Sequence, residues 1–134
     1  VVRDTVVETD ELLIVASPDL VNLRNTQMIH DYVAKRRQRT PARFMFNMAD
    51  RHKDSELAAK DFREIFSNRD PVVSIPDDHS FRVASRDGQM IAEVGKPKRL
   101  LKSFDLVAET VTGRAAAQQK RRGGGVLRKL FRRG

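Results

Sequence analysis

The chain has 134 residues, 26 of them basic and 18 acidic, for a formal net charge of +8, which is enough polypeptide for one domain of ordinary size. It contains no cysteine, which excludes disulfides, thiol chemistry and cysteine metal sites. Eight of the basic residues and no acid lie in 114–134, so residues 1–113 carry 18 charges of each sign. The excess charge belongs to an appendage, not to a basic face on the body.

No apolar stretch approaches the ~20 residues of a membrane span, and no signal-peptide pattern opens the chain. The sequence begins with Val1 inside an unfinished element and reads as a piece of a longer protein. Residues 1–9 (VVRDTVVET) combine strand-forming valines with Val2, Val6 and Thr9 on one helical face, and read as the end of a helix. Leu12 to Ala16 is an unbroken apolar run, short and tightly punctuated, which predicts a strand covered on both faces as in parallel sheets. Ser17-Pro18-Asp19 follows. Ser17 suits an N-cap, Pro18 the first helical position and Asp19 the positive end of the helix dipole.

The helix expected over 18–37 carries Leu20, Val21, Met28, Ile29, Tyr32 and Val33 as its apolar stripe and ends in Lys35-Arg36-Arg37. His30 sits among polar neighbours and is expected to face solvent. A second apolar run, 42–48 (ARFMFNM), follows a short loop and leads into the polar loop 49–53. The helix expected over 54–67 places Leu57, Ala58, Phe62, Ile65 and Phe66 on one face, with Asn68 as its stop. The third run, 71–75 (PVVSI), closes on Pro76-Asp77-Asp78. Residues 80–94 read as helical with an interruption at Gly88. The last helix starts at Pro97, carries Leu100, Leu101, Phe104, Val107, Ala108 and Val111, and ends at Gly113. Residues 114–125 form a linker containing Gly123-Gly124-Gly125, and 126–133 close the chain.

The three apolar runs start about 30 residues apart, the length of a βαβ unit. They imply three parallel strands alternating with helices, an α/β domain. Ligands of open α/β sheets bind at the carboxyl ends of strands. That directs attention to residues 17–19, 47–50 and 76–79. Asn47 either reaches a ligand there or is a turn-forming asparagine satisfying local backbone. Pro76 and Asp77 either line a site or are ordinary loop residues after a strand. The clusters Asp77-Asp78-His79 and Asp50-Arg51-His52 lack the spaced ligands of a zinc site, and no metal is expected. No Ser/His/Asp set argues for a nucleophilic triad, and no catalytic residue is assigned.

Three segments carry a family resemblance: VASPDLVNLRNT (15–26), FMFNM (44–48), and SIPDD (74–78) followed by DGQMIAEV (87–94). Their order resembles the C-terminal half of a MinD/ParA-type P-loop ATPase, and within that group the CpaE/TadZ branch serving assembly of Flp-type (tight-adherence) pili. The resemblance covers residues 1–113. It implies the C-terminal half of a P-loop NTPase fold, with Asn47 contacting adenine and Pro76 and Asp77 in the loop beside the base. It implies ATP as cofactor, with Mg2+ bound by residues outside this chain, and an ATP-dependent homodimer. Arg24 and Asn25 fall at the family's dimer or partner surface, or on an ordinary exposed helix face. The partners implied are pilus assembly and secretion proteins, and the location is the cytoplasmic side of the inner membrane or the cell pole.

The sequence departs from the family in two places. The Gly-rich lysine loop that holds phosphate does not occur in the 134 residues. Gly123–Gly125 is no substitute, since no strand precedes it. The chain alone is therefore expected not to hydrolyse ATP. Asn47 is also followed by Met48, where the family often has arginine or glutamine.

The tail GGGVLRKLFRRG resembles the membrane-targeting sequence of MinD proteins. As a helix, Val126, Leu127, Leu130 and Phe131 form one stripe flanked by Arg128, Lys129, Arg132 and Arg133, which suits an anionic membrane surface. The alternatives are a disordered basic terminus, or an arm binding nucleic acid through phosphates. At the level of the whole protein, the competing readings are a non-catalytic membrane-associated scaffold and a ParA-like DNA-segregation ATPase. The neutral body makes nucleic acid the weaker partner.

Overall fold

The computed structural model describes residues 2–37, 40–51, 55–95 and 97–114. The tail expected to bind membranes, 126–133, and the linker from residue 115 onward lie outside the described residues, as does His52. The elements run α1 (Val2–Glu8), β1 (Leu13–Ala16), α2 (Leu20–Ala34), β2 (Arg43–Phe46), α3 (Ser55–Ile65), α4 (His79–Asp87) and α5 (Lys98–Thr112).

β1 and β2 pair in parallel, with Leu13 opposite Arg43 and Ala16 opposite Phe46. The run 71–75 lies beside β2 in the same sense. It makes one formal bridge, Phe46 with Ser74, and alternating bonds: Val72 N donates to Phe44 O at 2.8 Å, Phe46 N to Val73 O at 3.0 Å, and Ile75 N to Phe46 O at 2.9 Å. Alternation along the strands divides the core into two layers. Ile14, Ala16, Phe44 and Phe46 face Phe62 and Phe66 of the α3 side, with Leu23 of α2 packed against them. Met45, Val73 and Ile75 face Leu100, Phe81 and Val107 of α4 and α5. The first layer is aromatic: the Phe44 and Phe66 rings stack at 4.4 Å, and Phe46 meets Phe62 edge-on at 5.1 Å, geometries that aromatic quadrupoles favour.

Several expectations are corrected. Val15 is 56 % exposed, so β1 is not covered on both faces. The N-cap of α2 is Asp19, not Ser17: its carboxylate accepts from the backbone N–H and the side-chain amide of Asn22, both at 2.8 Å. Pro18 is then a buried residue ahead of the helix and not its first member. A larger correction concerns which face of α2 is buried. Leu20, Val21, Met28 and Ile29 are exposed. The inward face is Leu23, Thr26, His30 and Val33, spaced three and four residues apart as one helical stripe requires. His30 is accordingly not solvent-facing: its ring packs edge-on against Phe66 at 4.9 Å. In α5 only Leu100 of the expected stripe is fully buried, while Phe104 and Val111 are 40 % and 45 % exposed.

Lys35-Arg36-Arg37 follows α2 and does not form its last turn. Arg37 is buried and serves a different helix. Its guanidinium donates to the carbonyls of Val6, Thr9, Asp10 and Thr40 and to the Thr9 hydroxyl. These include carbonyls at the carboxyl end of α1, where the dipole is negative and backbone acceptors lack helical partners. α4 stops at Gly88 in the left-handed conformation (φ 63°), so 89–94 is loop and not a continuation of the helix.

Candidate functional site

Among the described residues a pocket of about 770 Å³ opens at the carboxyl ends of the parallel segments. Val15, Met45 and Ile75 line it as one apolar surface, one residue from each of the three runs. Val15 and Met45 are paired in register, so the exposure of Val15 is exposure to this pocket. Phe81 of α4 and Phe104 of α5 form a second apolar wall, their rings edge-on at 6.3 Å.

The polar rim comes from two loops. Asn47 and Met48 follow β2; Pro76 and Asp77 follow Ile75; all four line the pocket. The three residues assigned to the base site from sequence are thus brought together. Asn47 also makes the local bond of a turn asparagine: its Oδ1 accepts from Met48 N at 3.1 Å. That contact uses one lone pair of the carboxamide oxygen and leaves the second. Met48 has a positive φ of 54°, an uncommon state for a residue with a side chain. The turn is closed by Arg51 N donating to Met48 O at 3.1 Å.

Arg51, Arg82 and Arg86 add positive charge to the rim. Arg82 pairs with Asp77 at 3.4 Å, and Arg86 with Asp87 at 2.7 Å. Arg51 Nη1 lies 3.0 Å from Met48 Sδ. Arg51, Phe81 and the two α4 arginines line the pocket although no motif in the sequence marked them for ligand contact. Arg82 and Arg86, four apart on one helix, were the available signal.

Asp78 acts as the N-cap of α4. Its Oδ1 accepts from Ser80 N at 2.7 Å. Hydrogen bonds from the side chain and backbone of Ser80 hold its carboxyl below the usual carboxylate range, with smaller help from His79 and Arg82. That is helix capping, and among the described residues no three His, Asp or Glu side chains gather as a metal site. Arg24 and Asn25 lie exposed on the outer face of α2, beside Leu20, Val21 and Met28 and away from the pocket at the strand ends.

An apolar floor with a few convergent polar groups, at this size and at the carboxyl edge of a parallel sheet, is the usual form of a small-molecule site. Val15, Met45, Ile75 and Phe81 give the pocket apolar surface, and Asn47 places an amide at its edge. Comparison with protein-family models, with curated proteins and with solved structures finds no match to this chain. Among the described residues no helix is long and apolar enough to cross a membrane.

Proposed function

We propose that this chain is the base-binding and membrane-attaching part of a MinD/ParA-type P-loop ATPase, closest to the CpaE/TadZ branch. In this reading it helps place pilus secretion machinery at the cytoplasmic face of the inner membrane or at the cell pole. ATP would seat its adenine between Asn47 and the Pro76–Asp77 loop. The phosphates and Mg2+ would be held by residues outside this chain, since no Gly-rich lysine loop occurs within it. The observation that supports the reading most is convergence: Asn47, Pro76 and Asp77, chosen from short motifs about 30 residues apart, line one pocket. Residues 126–133 would attach the body to anionic lipid, and pairing of two bodies would give two such tails.

The chain's own residues would supply binding and orientation only. The Asn47 carboxamide can accept from and donate to an adenine edge at once, the pairing that Asn makes with adenine elsewhere. The test is a titration of the ¹⁵N-labelled chain with ATP. Amide shifts should concentrate at Asn47, Ile75, Asp77 and Phe81. In the full-length parent, Asn47→Ala should weaken ATP binding by about 1–3 kcal/mol, the cost of an unmade buried hydrogen bond. Equal affinity with an intact fold would rule out the base contact.

A further inference from the structure

We infer that Asp50 is a positioning residue that sets the width of the pocket between Asn47 and the Pro76–Asp77 loop, and so its choice of base. The inference rests on the nucleotide reading of that pocket.

The two rim loops come from different strand ends and must be held relative to each other. Two contacts do this. Ala49 N donates to Ile75 O at 2.9 Å, extending the strand pairing by one bond. Beyond it, Asp50 Oδ1 accepts from Asp77 N at 2.7 Å, across 27 residues of sequence. Asp50 is exposed and does not line the pocket, so it is not offered as a ligand contact. Its carboxylate is turned toward Asp77 by the loop itself. The chain reverses at Met48, whose positive φ is held by Asn47 Oδ1 on its N–H and by Arg51 N on its carbonyl. Backbone states of this kind persist where the surroundings over-determine them, and they cluster at binding sites. Here the reversal presents Asn47 to the pocket and Asp50 to the opposite loop.

Charge runs the same way. Asp77 N–H meets the Asp50 carboxylate, while the Asp77 carboxylate meets Arg82 at 3.4 Å. Asp77 is thus held from two sides, by its backbone and by its side chain. Removing the Asp50 acceptor turns the Asp77 N–H to water and leaves the loop after Ile75 held by Ala49 alone on this side. A base read by an amide on one loop and by the other loop beside it is recognised only while their separation is fixed. The stability of the domain should barely register the change, because the bond lies on an exposed surface where water replaces it.

The experiment uses the ¹⁵N-labelled 134-residue chain with Asp50→Ala and Asp50→Asn, probed with ATP and with GTP. Asparagine keeps the carbonyl acceptor and alanine does not. In Asp50→Ala, exchange of the Asp77 amide should speed up about tenfold and ATP affinity should fall about tenfold, the scale of one charge-assisted hydrogen bond. The ATP-to-GTP preference should narrow with it. Asp50→Asn should restore all three to within about twofold, and urea midpoints should coincide across the set. Unchanged Asp77 exchange in Asp50→Ala would overturn the clamp itself, whatever the nucleotide result. Faster exchange with unchanged affinity and unchanged base preference would make the bond merely structural, as would a lowered midpoint that accounts for the lost affinity. A parent chain whose amides ignore both nucleotides would overturn the nucleotide reading, and the positioning role with it, while leaving the exchange result to report on the clamp.

Discussion

Replacing Arg37 by methionine isolates the guanidinium from the packing of its stem, because methionine keeps much of the apolar length. The parent side chain makes five hydrogen bonds: to Thr9 O and Asp10 O at 2.6 Å, Thr40 O at 2.8 Å, Thr9 Oγ1 at 3.0 Å and Val6 O at 3.3 Å. Hydrogen bonds with a charged partner contribute about 1.5–3 kcal/mol each when measured singly. They do not add here, since the carbonyls lie near the surface and regain water when the guanidinium goes. Treating the three shortest as the effective set, and allowing about half their value to be recovered by hydration, leaves a loss of about 3 kcal/mol for Arg37→Met. Arg37→Lys keeps the charge at the carboxyl end of α1 but cannot reach carbonyls on three sides with a fork, and should lose about half as much. Urea unfolding followed by helical ellipticity measures both, and a shared slope would show that the same surface unfolds. Amide exchange should locate the damage in α1 and residues 9–12. A methionine variant within about 0.5 kcal/mol of the parent would refute the argument, since it would mean that α1 is held by its apolar contacts and that Arg37 only occupies space.

Other outcomes follow from single groups. Phe62 has no exposed surface and touches both Phe44 and Phe46, so Phe62→Ala should cost about 3–5 kcal/mol by urea titration. Asp78 has a depressed carboxyl pKa in the fold, so its contribution is fully present above the unfolded value of about 3.9 and is lost as pH falls through the lower folded value. Asp78→Asn should therefore flatten the acid limb of stability against pH, and an unchanged limb would show that the cap is not ionic. The tail, if it inserts, needs its apolar stripe: Leu130→Glu or Phe131→Glu should abolish co-sedimentation with anionic vesicles, whereas a purely electrostatic association would survive Phe131→Ala.

What the sequence made legible was set by how each residue's face is decided. On α3 the large apolar residues lie on one stripe only, so Ala58, Phe62 and Phe66 could be read as core, and all three are buried. On α2 two stripes compete. Leu20, Val21, Met28 and Ile29 make the more hydrophobic one, and it faces out. The inner stripe holds Thr26 and His30, whose burial depends on partners far away in sequence, such as the Phe66 ring. Propensity and periodicity carry no information about such partners. Arg37 fails the same test: its position after a helix reads as local dipole compensation, while its carbonyl partners at Val6 and Thr9 lie 31 and 28 residues away.

The site was more legible than the α2 face because its logic is local to each strand. Side chains two apart along an extended segment share a face. Met45 and Asn47 are two apart, as are Ile75 and Asp77, and in each pair the first belongs to the apolar floor of the pocket and the second to its polar rim. Two of the apolar runs therefore specify floor and rim by the same step, an apolar residue followed two places on by a polar one. β1 departs from it: Val15 reaches the floor, but Ser17, two places on, is not part of the lining. There the chain bends at once, with Asp19 N donating to Ser17 O at 2.9 Å as the turn into α2 forms. The loop after Ile75 is just as short and bends in the same way, with Asp78 N donating to Pro76 O at 3.0 Å, so loop length does not separate Asp77 from Ser17. Asp77 differs in having its N–H held by the Asp50 carboxylate. The distance between Asn47 and Asp77 is a tertiary quantity. It rests on Ala49 and Asp50 reaching across to Ile75 and Asp77, contacts that no periodicity within either segment could have foretold.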